Sequence, residues 1–188
     1  MEGVKLIRLT GARLLLGYRK RRFARDEWFD LVTPAGRKLG EAPRSVCHRG
    51  PGLLHSVVHL HVTDSEGRLY LQKRSLNKKI QPGKWDTSVG GHVDSGEAVT
   101  DALVRETREE LGMEGFSPRE LITYVWESEQ ESELVHSYTT RWDGPVKPDP
   151  EEIEEGRFWS RSEIEEGLGK GVFTPNFEQE YVRIRASL

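Results

Sequence analysis

Apolar positions in residues 98–111 fall at the helical period, at Ala98, Val99, Ala102 and Leu103, and predict an α-helix. Asp94 or Ser95 can cap it. Asp94 with Glu97 three residues on has the form of a capping box, and Gly112 suits the helix end. Upstream, 28–32 reads as a strand, 34–37 as a turn and 38–41 as a returning strand, so a small hairpin is expected. Residues 56–63 alternate weakly, are rich in Val and His, and read as a core strand. A turn at 64–67 leads to a second strand, 68–72, and then to a basic loop, 73–84, ending in Pro82-Gly83. Residues 85–89 lead on toward the helix. Beyond it, 121–126 and 134–142 read as paired strands around an acidic connector. A loop (144–150), a short strand (156–160), a short helix (162–166) and a closing helix (177–186) follow. Strands before and after one central helix, with terminal helices, predict an α/β sandwich.

The acids of the central helix depart from the usual pattern. At about 100° per residue, Glu106, Glu109 and Glu110 share the sector of the apolar stripe, where an amphipathic helix normally keeps its acids opposite. Clustered carboxylates repel and are costly to desolvate. A hard cation with oxygen ligands, Mg²⁺ above all, removes that cost. The plainer reading is a helix with a solvated charged face. Against it stand fixed offsets: Gly91, then Glu97, Arg105-Glu106, Glu109-Glu110 and Gly112 within 22 positions. Asp101 and Arg108 point away and are expected to be solvated.

Composition narrows the function classes. With 188 residues, 35% apolar and 31% charged, one domain with a polar surface is expected. That domain is placed at 26–188, behind a basic extension, 1–25, carrying Arg19-Lys20-Arg21-Arg22. No apolar run approaches the ~20 residues of a membrane span. Leu14-Leu15-Leu16 is too short for a signal segment. A net charge of -3 argues against general nucleic-acid binding. The single cysteine, Cys47, excludes an internal disulfide and suits a reducing, cytoplasmic setting.

Residues 91–113, GHVDSGEAVTDALVRETREELGM, resemble the Nudix box: Gly, five residues, Glu, seven residues, then Arg-Glu-apolar-any-Glu-Glu-any-Gly-apolar. Thr107, where the family prefers an aliphatic residue, is the one departure. The resemblance implies the Nudix fold, an α/β/α sandwich with a mixed central sheet and a loop–helix–loop motif. It also implies Mg²⁺-dependent (or Mn²⁺-dependent) hydrolysis of a diphosphate linked to another group. Glu106, Glu109 and Glu110 would be metal ligands. Arg105 would pair with Glu97 and fix the motif, with Gly91 and Gly112 at its ends. A glutamate would activate water: Glu106, Glu110 and Glu133 are the candidates, with Glu152 and Glu155 ranked lower.

From 28 to 177 the chain is also similar to the isopentenyl-diphosphate isomerase branch of that superfamily. Each histidine before the helix reads singly as structural. Together, the resemblance makes His48, His55 and His92, with Glu131 and Glu133, a metal-binding group, and sets Arg44, Arg74 and Lys78 against the diphosphate. Two departures stand out. Gly90 occupies the place of the isomerase's catalytic cysteine, and all three helix acids are kept where the isomerase retains only the last. Both point to hydrolysis. The expectation is a Mg²⁺-dependent hydrolase of a small-molecule diphosphate, nucleotide-derived, with a homodimer as one possible assembly. An isomerase or a non-catalytic nucleotide sensor are the alternatives. Tyr124, Trp126, Phe173 and Phe177 are expected either to line a pocket or to fill the core.

Overall fold

The computed structural model describes residues 26–78 and 80–188, so the basic segment expected over 1–25 lies outside the described residues. The expected hairpin is β1 (Trp28–Val32) and β2 (Lys38–Pro43), followed by a one-turn helix α1 (Arg44–Cys47). The remaining strands are β3 (Leu54–Thr63), β4 (Leu69–Arg74), β5 (Trp85–Asp86), β6 (Val89–His92), β7 (Arg119–Glu127), β8 (Ser132–Arg141) and β9 (Ile153–Trp159). The helices are α2 (Val99–Leu111), α3 (Arg161–Gly167) and α4 (Pro175–Ile184).

β3 organises the sheet. Along one edge it runs parallel to β8, from Leu54 opposite Ser132 to Thr63 opposite Arg141. Along the other it meets β1, β6 and β4 antiparallel, with Leu31 opposite His55, Val57 opposite His92 and Thr63 opposite Leu69. β4 pairs with β5 and β9, and β7 with β8. Because side chains alternate across a strand, β3 has two different faces. Val58, Leu60 and Val62 join Ala102, Leu103 and Leu111 of α2 in one core. His55, Val57, His59 and His61 face the other way. On that side α3 and α4 close a second core of Leu69, Leu71, Trp159, Ile164, Phe173, Phe177 and Tyr181. Burying each large apolar side chain stabilises the fold by about 1.5–3 kcal/mol. The result is the expected mixed sheet between helices. Among the described residues no helix is long and apolar enough to cross a membrane.

The start of α2 differs from expectation. Its N-cap is Ala98, with no side-chain cap; neither Asp94 nor Ser95 caps it. Glu97 instead accepts the Asp94 N–H at 3.0 Å, and the Ser95 hydroxyl donates to Asp30 (2.6 Å) and Glu41 (3.1 Å). The polar groups before the helix therefore tie its loop to the hairpin and to Arg105. Gly112 ends the helix as expected, left-handed at φ 61°. Thr107 is fully buried, and its hydroxyl donates to the Leu103 carbonyl at 2.6 Å, which satisfies the one polar group that departs from the motif.

Candidate active site

Arg105 joins the loop before α2 to the acids on it. Its Nε and Nη2 donate to the two oxygens of Glu97 at 2.9 and 2.8 Å, and Nη2 also reaches the His92 carbonyl at 3.0 Å. Its Nη1 donates to Glu106 at 2.7 Å and to Glu109 at 3.4 Å. This guanidinium holds the Glu97 carboxyl below the usual range.

The three acids of α2 have different surroundings. Glu110 is buried and accepts from Gln72 Nε2 at 2.8 Å and from the Gly90 N–H. Burial, then the charge of Glu106, pushes its carboxyl up to about 8. Burial also raises Glu106, against the pull of Arg105. The Glu109 side chain is 52% exposed and sits at the rim.

From the end of α1, β3, β6 and the residue just before β8 a second group converges. One ligand atom each from His48, His55, His92 and Glu131 lie within 4.8 Å of one another. His48 Nε2 stands 3.2 Å from His92 Nε2 and 3.1 Å from Glu131 Oε2. Phe29 stacks on His92 (centroids 4.4 Å apart) and on His55 (5.1 Å), and so fixes both rings. His55 Nδ1 donates to the Leu53 carbonyl at 2.9 Å, which turns the lone pair of Nε2 toward the group. Burial, with Arg44 nearby, lowers all three histidines, His48 to about 4, so they are neutral imidazoles. Among the described residues, His55 Nε2 and Glu131 Oε2 are buried without a hydrogen bond. Neutral nitrogens and an orphaned carboxylate oxygen facing one another are a fitting donor set for a divalent cation.

A single cavity of about 660 Å³ is lined by His48, His92 and Glu131 together with Glu106, Glu109 and Glu110. Arg44, Arg74 and Lys78 also line it. Each meets a carboxylate: Arg44 meets Glu27 at 2.6 Å, Arg74 meets Asp86 at 3.3 Å, and Lys78 is paired with Glu152. Glu133 lines the cavity but stands outside the four-residue group. It is buried, accepts from Asn176 Nδ2 at 3.4 Å, and is pushed up to about 8 by burial and then by Glu131. Glu152 lines the cavity as well, while Glu155 does not.

Of the four aromatic candidates, Trp126 lines the cavity and Tyr124 acts behind it, donating to Asn176 at 3.1 Å. Phe173 and Phe177 are core residues, because the turn into α4 directs them under α3. Sequence reasoning missed Phe29, Gln72, Asp86, Asn176 and the buried pair His59–Glu180. Only for His59 was there a signal: His55, His59 and His61 share the odd face of β3.

The NUDIX domain model matches residues 53–177. A Streptomyces coelicolor protein named as an uncharacterized Nudix hydrolase is 34% identical over 163 residues, 86% of this chain and 90% of that protein. An isopentenyl-diphosphate Delta-isomerase of Streptomyces griseus is 34% identical over 154 residues, 79% of this chain and 78% of that protein. A crystal structure of a Deinococcus radiodurans protein superposes with a TM-score of 0.73 at 26% identity, covering 84% of this chain and 98% of the other.

Proposed function

This chain belongs to the NUDIX family, and we propose that it is a divalent-cation-dependent hydrolase of a diphosphate in a nucleoside diphosphate linked to another group. The observation that carries this reading is the charge of the cavity. Among the described residues, twelve Asp and Glu residues line it against four Lys and Arg residues. Such a surface repels a diphosphate unless cations enter with it. The carboxylates of Glu106, Glu109 and Glu110 suit Mg²⁺, and the nitrogen-rich group of His48, His55, His92 and Glu131 suits Mn²⁺ or a similar ion.

A bound cation would neutralise phosphate oxygens and polarise phosphorus. The protein's own groups would do the rest. Arg44, Arg74 and Lys78 would exchange their carboxylate partners for phosphate oxygens. Arg105 would hold Glu106 in place. Glu110 and Glu133, both held near 8, are carboxylates whose basicity suits taking a proton from attacking water, with Glu106 the third candidate.

The isomerase reading is weaker because Gly90 supplies no thiol to this cavity. The sensor reading is weaker because none of the box acids is replaced. The test is ³¹P NMR of the protein with Mg²⁺ or Mn²⁺ and a panel of nucleotide sugars, dinucleotides and nucleoside diphosphates, with isopentenyl diphosphate alongside. Cation-dependent cleavage, lowered about a hundredfold or more by Glu110→Gln, is expected. Formation of dimethylallyl diphosphate would establish the isomerase instead. Nucleotide binding with no turnover on any substrate would establish the sensor.

A further inference from the structure

His59 on β3 and Glu180 on α4 are 121 positions apart and meet at 2.6 Å, Nδ1 to Oε2. Glu180 is fully buried, and its other oxygen lies 3.0 Å from His61 Nε2. His61 is itself fully buried, and its Nδ1 is 3.2 Å from the Thr87 hydroxyl. Its two nitrogens thus face Glu180 and Thr87 inside the protein and do not line the cavity.

His59 is placed differently. It lines the cavity, and among the described residues only its Nδ1 has a protein hydrogen-bond partner. The opposite edge of the ring lies beside Gly90. A Cβ on Gly90 would stand 3.6 Å from His59 Cδ2 and 3.7 Å from Nε2. Any larger side chain there would cover that edge, so the missing side chain leaves Nε2 open to the cavity. A buried carboxylate needs a compensating positive charge. Although burial alone would lower His59, Glu180 overrides it and keeps the ring protonated at neutral pH. The result is an N–H donor fixed at its far side by a buried carboxylate and lining the same cavity as Arg44, Arg74 and Lys78.

We propose that His59 is a catalytic contact residue whose Nε2–H donates to an oxygen of the bound diphosphate, with Glu180 as the positioning residue that fixes the ring. The proposal rests on the diphosphate reading above.

The test uses the full chain, ¹⁵N-labelled at histidine, with Mg²⁺ and methylenediphosphonate, a diphosphate analogue that hydrolysis cannot consume. Binding is expected to shift the His59 Nε2 resonance. His59→Asn keeps an amide near Nδ1 for Glu180 but removes the cavity donor, and should weaken binding about tenfold or more. His59→Gln restores a donor near Nε2 and should bind within about threefold of the wild type. Glu180→Gln should turn the His59 nitrogen pattern at pH 7 from imidazolium to neutral and weaken binding as His59→Asn does.

If the wild type binds the analogue, the Nε2 resonance stays still and His59→Asn binds normally, the contact is wrong while the diphosphate reading survives. If the wild type does not bind the analogue at all, the diphosphate reading is contradicted and this contact falls with it. Should His59→Asn fail to fold, the wild-type resonance alone decides.

Discussion

The carboxyl group of Glu106 fills the space that a Cβ on Gly91 would take. The first glycine of the motif therefore has a steric reason. β6 passes so close under α2 that only a residue without a side chain leaves Glu106 its place in the cavity. Gly91→Ala should push the Glu106 side chain aside rather than unfold the protein, because the obstructing atoms belong to a flexible chain end. Turnover should fall about a hundredfold, as for a misplacement of about 1 Å, while the melting temperature changes little. A loss of folding equal to the loss of turnover would contradict this.

Arg105 and Glu97 form a two-toothed pair that an ammonium cannot reproduce. Arg105→Lys should therefore lower turnover by tenfold or more, on the order of the loss of one charged hydrogen bond at the site. Glu97→Gln should cost on the order of 1 kcal/mol of stability. Urea unfolding beside steady-state kinetics checks both. Wild-type kinetics in the Arg105→Lys variant would mean that Arg105 does not position Glu106.

Much of this was legible in the sequence where signals are local. α2 declared itself by its period, and its acids by their place on the apolar sector. The hairpin, β3, β4 and the β7–β8 pair followed from alternation and turn residues. β5, β6 and α1 are too short to show a period, and β6 is half glycine. Contacts made by the folded chain were out of reach. Phe29 under two histidines and Glu180 behind His59 join positions far apart in the chain. The caps proposed at Asp94 and Ser95 failed because both residues serve the loop and hairpin instead.

Metal-free protein should be sensitive to pH in a defined direction. Glu110 and Glu133 rise from the usual 4.5 to about 8 on folding. A carboxyl raised in this way favours folding below 4.5 and loses that contribution as the pH climbs to about 8. His48, lowered from 6.5 to about 4, acts oppositely: its contribution is present above 6.5 and is lost as the pH falls to about 4. Chelator-treated protein should therefore melt at a lower temperature at pH 8 than at pH 6.5. Added Mn²⁺ should raise the melting temperature more at pH 8, where it displaces fewer protons. A gain that shrinks between pH 6.5 and 8 would contradict the assignment of these carboxylates.

Among the described residues His55 offers its Nε2 with no hydrogen-bond partner, so it should matter to a cation. His55→Ala should weaken Mn²⁺ binding by about tenfold to a hundredfold. It should also halve the stoichiometry at micromolar Mn²⁺ if the two groups bind separately. Isothermal titration calorimetry reads both values. Unchanged affinity and stoichiometry would show that His48, His55, His92 and Glu131 do not hold a cation.

The most direct test is anomalous diffraction from crystals of the protein grown with Mn²⁺ and methylenediphosphonate. We expect manganese peaks beside Glu106 and Glu110 and among His48, His55, His92 and Glu131, with the phosphonate between them. A cavity that holds the phosphonate with no manganese at either group would contradict the account.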